Sequence, residues 1–226
     1  LGLCYNNGQG VTKDYEKAIY WFTKSAEQGD SSAQYNLGLC YNNGQGVTKD
    51  YEKAIYWFTK SAEQGDSSAQ YNLGLCYNNG QGVTKDYEKA VYWYTKAAEQ
   101  GDSSAQCNLG TCYSNGQGVT KDYEKAVYWY TKAAEQGNSS AQCNLGLCYI
   151  TGKGIIQDYQ KAFLWFTKAA EQGNKNSQNN LGVCYERGYG VIQNYEKAIY
   201  WYTQAAEQGN DKAKGNLNRL KTDLLF

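Results

Sequence analysis

The sequence predicts an all-α protein, a solenoid of stacked antiparallel helix pairs, and three observations predict it. Residues 1–36, LGLCYNNGQGVTKDYEKAIYWFTKSAEQGDSSAQYN, recur unchanged at 37–72 and then as variants beginning at Leu73, Leu109, Leu145 and Leu181; a fixed period of this size marks a repeat architecture. Each period carries two stretches with apolar residues at helical spacing, each opened by a capping residue and closed by glycine. No stretch alternates apolar and polar residues as a half-buried strand does. A pair of helices this short cannot bury its apolar stripe alone, so neighbouring copies must complete the core. Six repeats at 1–36, 37–72, 73–108, 109–144, 145–180 and 181–216, with the remainder of a capping helix at 217–226, account for the 226 residues.

Within one period the first helix, A, opens at Asp30 as N-cap and places Ala33, Leu37, Cys40 and Tyr41 on one face before Gly44 stops it. After the connector 44–49, Asp50 caps a second helix, B, with Tyr51, Ala54, Ile55, Phe58 and Ala62 on its inner face and Gly65 just past its end. Of 25 glycines, 24 fall in four in-register series, those of Gly2, Gly8, Gly10 and Gly29, and all four are expected to act as punctuation. The segment from Asp211 begins as another A helix but carries Asn218, Arg219 and Lys221 where the repeat has Gly38, Leu39 and Tyr41. A charged outer face is what a terminal cap requires. Leu1 enters the pattern in mid-helix and the chain has no Met, so further repeats or another domain are expected upstream.

Composition removes much chemistry. Lys and Arg together number 22, as do Asp and Glu, so no positive excess favours nucleic acid or an anionic membrane. No run approaches the roughly 18 apolar residues of a membrane span. With no His in the chain, Ser-His-Asp and Cys-His nucleophile pairs and His-ligated metal sites are excluded. Gly44-Gln45-Gly46 leaves a helix rather than a strand, and no G-x-x-x-x-G-K-[ST] accompanies it, so it reads as a connector and not a phosphate loop. Asn138-Ser139-Ser140 has the form of a glycosylation acceptor but occupies the N-cap position of Asp30, Asp66 and Asp102. No cofactor, no metal, no small-molecule substrate and no catalytic residues are expected.

The recurring string A-x-x-x-L-G-x-x-Y-x-x-G-x-G-V, followed by D-Y-x-K-A and W-[FY]-x-K-[AS]-A-E-Q-G, resembles the Sel-one-like repeat family, relatives of the tetratricopeptide repeats, over essentially the whole chain. The resemblance implies a right-handed superhelix with the A helices lining a concave surface and the B helices outside. It also implies a non-catalytic scaffold or adaptor that mediates protein–protein interaction.

Six of the eight cysteines recur at the period: Cys4, Cys40, Cys76, Cys112, Cys148 and Cys184. Equivalent sites on stacked helices lie roughly 8–10 Å apart, beyond the roughly 7 Å Cα limit of a disulfide. Cys107 and Cys112, like Cys143 and Cys148, stand five apart on one helix and face different ways. The periodic cysteine reads as a small buried hydrophobe, and reduced thiols fit a cytoplasmic setting. Cysteine-rich relatives are described as β-lactamase-like, but the B helices here hold no cysteine and no S-x-x-K occurs. A hydrolase is therefore the remote alternative.

Trp21, Trp57, Trp93, Trp129, Trp165 and Trp201 are expected to pack between repeats. The side of helix A opposite its core stripe projects Tyr35, Asn36, Leu39, Asn42 and Asn43, and stacking turns these into ladders with Tyr71, Asn72, Leu75, Asn79, Asn108, Asn115 and Asn144. Tyr offers rigid amphipathic area and Asn adaptable hydrogen bonds, which suits a protein partner or an extended peptide. Repeats one and two are identical, whereas the last two rewrite this surface to Ile150, Thr151, Asn179, Glu186 and Arg187. Specific recognition is expected towards the C-terminal end. The alternative is a structural spacer carrying an upstream domain.

Overall fold

The computed structural model describes residues 1–224. It contains thirteen α-helices and no strand among the described residues. They divide into two units, the first comprising Leu1–Cys112 with Gly116–Thr120 and the second Tyr113–Asn115 with the chain from Lys121 onward. The first unit holds α1 (Gly2–Asn7), α2 (Tyr15–Glu27), α3 (Ser31–Asn43), α4 (Tyr51–Glu63), α5 (Ser67–Asn79), α6 (Tyr87–Glu99) and most of α7 (Ser103–Asn115). The second holds α8 (Tyr123–Glu135), α9 (Ser139–Thr151), α10 (Tyr159–Glu171), α11 (Lys175–Arg187), α12 (Tyr195–Glu207) and α13 (Asp211–Asp223). Odd-numbered helices are A, even-numbered B. In the first unit α1 to α6 pack each on the next, and in the second α8 to α13 do the same, the stacked arrangement of an α-solenoid. Residues 225 and 226 of the expected cap segment lie outside the described residues.

The caps are those the sequence signals. Asp30 Oδ1 accepts from the Ala33 N–H at 2.6 Å to open α3, and Asp50 Oδ1 accepts from Lys53 N–H at 3.0 Å to open α4. Each satisfies one of the orphan donors of a helix start. Asn138 Oδ1 accepts from Ala141 N–H at 2.9 Å, so its place at the head of α9 is that of a cap. At the end of α4 the chain turns in little more than Gly65, and Asp66 N–H reaches back to the Ser61 carbonyl at 3.2 Å.

Helix contacts explain why the glycines come in four series and correct the expectation that all four are punctuation. Three series have positive φ and end helices or shape connectors. The series of Gly2 and Gly38 sits inside the A helices. A Cβ built on Gly38 stands 2.6 Å from the Phe58 ring, so the missing side chain lets α3 and α4 meet face to ring. The same distance separates Gly74 from Tyr94, Gly146 from Phe166 and Gly182 from Tyr202. Gly46 does two things at once: its φ is +70°, and a Cβ there would stand 2.6 Å from the Tyr15 carbonyl oxygen at the head of the preceding B helix. The connector can therefore rest on its neighbour only as glycine.

A representative core joins Ala54, Phe58 and Ala62 of α4 to Ala69, Leu73 and Cys76 of α5, with Tyr35, Leu39 and Tyr41 of α3 and Trp93 of α6 packed around it. Four successive helices thus share one cluster. Trp57 closes the preceding cluster and Trp201 one in the second unit, so the tryptophans cement neighbouring repeats. A second interlock is polar. Gln34, buried, donates to the Ala26 carbonyl at 3.1 Å and accepts from Gln64 Nε2 at 2.7 Å. Gln70 with Ala62 and Gln100 repeats this, as do Gln142 with Ala134 and Gln172, and Gln178 with Ala170 and Gln208. One amide thereby ties the end of the preceding B helix to the next B helix, with its carbonyl and its N–H both used, as a buried amide requires.

Candidate functional site

The outward residues of the A helices fall into two groups. Those at the Tyr35 position lie between successive A helices rather than on an open surface. Tyr35 is half-buried with its ring 6.1 Å from that of Phe58, and Tyr71 stands in the same relation to Tyr94. Burial first, and the Asp66 charge second, push the Tyr35 phenol above its ordinary pKa. Cys107, Cys143 and Asn179 at this position are buried. Asn36 and Asn72 turn their amides back onto their own helices, donating to Ser32 and Ser68 carbonyls at 2.7 and 2.9 Å; Asn36 also lines a cavity of about 290 Å³ with Leu1, Leu3 and Trp21. Leu39 and Leu75 are half-buried, whereas Asn43, Asn79 and Asn115 at the helix ends are exposed. Asn108 is half-buried.

In the second unit the surface opens into three notches that occupy one register, each between the end of one A helix with its connector and the following A helix. The first, about 330 Å³, is lined by Ser114, Asn115, Lys121, Tyr123, Tyr130, Asn144, Leu147, Cys148, Thr151 and Lys153. The second, about 70 Å³, is lined by Leu147, Ile150, Phe166, Asn180, Val183, Cys184 and Tyr189. The third, about 510 Å³, is lined by Glu186, Arg187, Tyr189, Gln193, Tyr195, Arg219, Leu220, Asp223 and Leu224. Asn115, Asn144, Ile150, Glu186 and Arg187, singled out from the sequence, thus line three successive sites.

Exchanges at a few positions set the character of each notch. Tyr189 stands where the previous connector has Lys153, and it stacks on Tyr159 with centroids 4.7 Å apart and planes 10° from parallel. Gln157, at the position of Lys121, donates to the Ile150 carbonyl at 2.6 Å. Tyr189 lines the second notch, whose wall is mostly apolar. In the third, Glu186 is only 8% exposed. Its carboxylate accepts from the Tyr202 hydroxyl at 2.7 Å and from Arg219 Nη2 at 2.6 and 2.8 Å, while Arg219 Nη1 donates to Asp223 at 3.1 Å. Burial and the neighbouring carboxylate push the Tyr202 phenol far up. Asn216 donates to Asn179 at 3.0 Å, so α13 covers both Asn179 and Glu186.

Burial pushes Cys40, Cys76, Cys112 and Cys148 up to about 11 and Cys184 to about 12, whereas reactive cysteines are the reverse. All eight are free. Among the described residues no cluster of three potential ligands stands ready for a metal ion, and no helix is long and apolar enough to cross a membrane. The glutamine interlock and the mid-helix glycine were missed as such by sequence reasoning, although both were visible as recurring residues, the glycine in all six periods and the glutamine in the first five, with Lys214 in the sixth.

The Sel1 repeat family model matches six times, at residues 1–30, 31–66, 67–102, 103–138, 139–174 and 175–210. The chain belongs to the Sel1 repeat family. Sel1 repeat proteins are generally protein-interaction scaffolds and typically non-catalytic. The chain is similar to the protective antigen c5321 of uropathogenic Escherichia coli, which displays this repeat fold, at 42% identity and a TM-score of 0.89 over 97% of the chain and 47% of that protein. It therefore spans about half the length of that relative. It is also similar to a Sel1 repeat protein from Oxalobacter formigenes, at 36% identity and a TM-score of 0.88 over 96% and 86% of the two chains. Immunity protein Pa5087 of Pseudomonas aeruginosa, at 21% identity and a TM-score of 0.57 over 91% and 81%, shares the Sel1 fold. Among curated proteins none matches the chain.

Proposed function

We propose that the chain is a non-catalytic adaptor that holds an extended peptide, or an extended segment of a partner protein, against the A-helix face of its second unit. The observation that carries this reading is the run of three notches in one register whose linings differ: lysine-flanked, apolar, then ionic. An extended chain advances about 3.3 Å per residue, so a segment of ordinary length spans successive notches and meets a different chemistry at each. Cysteines without disulfides, seven of the eight buried, suit a cytoplasmic protein. The near-identical repeats of the first unit suit a second, compatible role as a spacer.

Panning random short peptides on the chain tests the reading. Captured peptides should bind Asn144→Ala, Leu147→Ser and Arg187→Ala about tenfold more weakly, since a few contact residues carry most binding energy, while helicity stays unchanged. Capture indifferent to all three substitutions would place the ligand elsewhere.

A further inference from the structure

The first notch carries more information than its shape. Lys13, Lys49 and Lys85 each lie over the tyrosine two residues on, at 4.8, 4.7 and 4.6 Å from the ring centre. Lys121 occupies the same place over Tyr123 but stands off at 5.6 Å, and Lys153 from the next connector reaches the same ring at 5.4 Å. Every earlier connector has glutamine at the position of Lys153, namely Gln9, Gln45, Gln81 and Gln117. Among the described residues, two cations therefore converge on one ring only at Tyr123. No Asp or Glu lines the cavity, and the acids of the two flanking connectors are already engaged. Asp122 and Asp158 each accept from their helix's first turn and pair with Lys125 and Lys161, both at 3.7 Å. Neither Lys121 nor Lys153 forms an ion pair among the described residues. The charge of Lys153 is felt inside the notch, where it partly offsets the effect of burial on the Cys148 thiol.

Two like charges brought to one ring repel each other, and the ring's negative face relieves only part of this. An anion in the cavity that both lysines line offsets the repulsion and gains two attractions. Ser114 and Asn144 supply hydrogen-bonding groups around the remaining wall, and Leu147, 42% exposed, supplies an apolar one. The opening is wide enough, at about 330 Å³, for a side chain but not for a folded surface. We infer that this notch is a carboxylate-binding subsite that takes an Asp or Glu side chain of the bound extended segment. The inference rests on the adaptor reading and gives it a ligand chemistry: an acidic residue at the first notch, followed within a few residues by an apolar one at the second.

The test uses the whole chain and a fluorescein-labelled hexaglutamate peptide, followed by polarisation at low salt. Lys121→Gln and Lys153→Gln introduce the residues that Gln157 and Gln117 supply at the same positions, so the fold is retained. Each should weaken hexaglutamate binding about fivefold, and the double variant more. Hexaglutamine should not bind. Lys85→Gln, which removes the same connector lysine where no second lysine joins it, should leave the affinity unchanged. Absent hexaglutamate binding, an unchanged affinity in the double variant, or an equal loss with Lys85→Gln would each overturn the subsite. Such a result leaves the adaptor reading intact if panned peptides are still captured and still lost with Asn144→Ala and Leu147→Ser; if that capture is also absent, both fail.

Discussion

The first and second units are built on the same 36-residue plan, yet they differ in where substitutions fall. In the first, 1–36 and 37–72 are identical and 73–108 differs at four positions, Ile55 to Val91, Phe58 to Tyr94, Ser61 to Ala97 and Tyr71 to Cys107, the second of which keeps a ring against a glycine. In the second, rewriting extends to the ends of the A helices and their connectors, at Ile150, Lys153, Gln157, Glu186, Arg187 and Tyr189. The stacking residues do not change with them. Gly146 still meets Phe166 at 2.6 Å, and Gln142 still joins Ala134 to Gln172. The array therefore separates two tasks along one helix, with its middle fixed by close packing and its end available for ligand chemistry.

If the core is common to both units, an agent that attacks it should affect both together. The buried thiols provide one. Each has a folded pKa raised from 9.0 to about 11 or 12, so the folded state holds its proton where the unfolded state has released it. The stability these groups contribute is complete below pH 9 and is lost as pH rises towards the folded value. By linkage the loss is about 1 kcal/mol per thiol at pH 10, or about 5 kcal/mol for Cys40, Cys76, Cys112, Cys148 and Cys184 together. Urea midpoints at pH 7.5 and 10 should fall steeply in the natural chain and much less when these five are alanine. A pH-independent midpoint would mean that the thiols are not buried as described.

Glycine substitutions sharpen the comparison further. Gly74→Ala and Gly146→Ala, one in each unit, should each destabilise by about 2 kcal/mol because the new methyl overlaps a ring. In an ordinary helix the same change stabilises by about 0.5–1 kcal/mol. Gly215 in α13 has nothing within 4 Å of an added Cβ, and Gly215→Ala should show that opposite sign. Denaturation of the three variants checks sign and size together, and equal signs at all three would refute the ring contact as the reason for the mid-helix glycine.

The helix boundaries were legible because their causes are local. Asp30, Asp50, Gly44 and Gly65 act within one turn of where they stand, and their spacing repeats six times. The partners of Gly38 and Gln34 lie on other helices, 20 residues away for Phe58 and 30 for Gln64; a single period shows that these residues recur but not what they touch. The outward face was legible only as a direction. Angular position on a helix places Tyr35 and Asn43 on the same side, but the next A helix covers the first and not the second. The pairing of Lys121 with Lys153 arises from two connectors 32 residues apart, a proximity created by stacking.

The third notch tests whether its rewriting serves recognition or only attaches the cap. Glu186 replaces the asparagine of Asn42 and Asn78, and Arg219 replaces the leucine of Leu39 and Leu75, so the ion pair arose by exchanging both sides of one contact. Removing Arg219 alone, as Arg219→Leu, strands a nearly buried carboxylate that keeps only the Tyr202 hydroxyl. Loss of a fully buried partner costs about 3–5 kcal/mol, but the arginine side chain is 46% exposed, and solvent screening reduces the expected cost to about 1 kcal/mol. Glu186→Asn with Arg219→Leu reinstates the pairing of the first unit and should return stability to within about 0.5 kcal/mol of the parent. A cycle of the two single variants and the double, followed by urea denaturation, measures the coupling. If the double variant is as stable as the parent yet captures panned peptides less well, the pair contributes to recognition. If stability falls with the double as it does with Arg219→Leu, the pair is a clasp for α13, and ligand contacts in the second unit reduce to the first two notches.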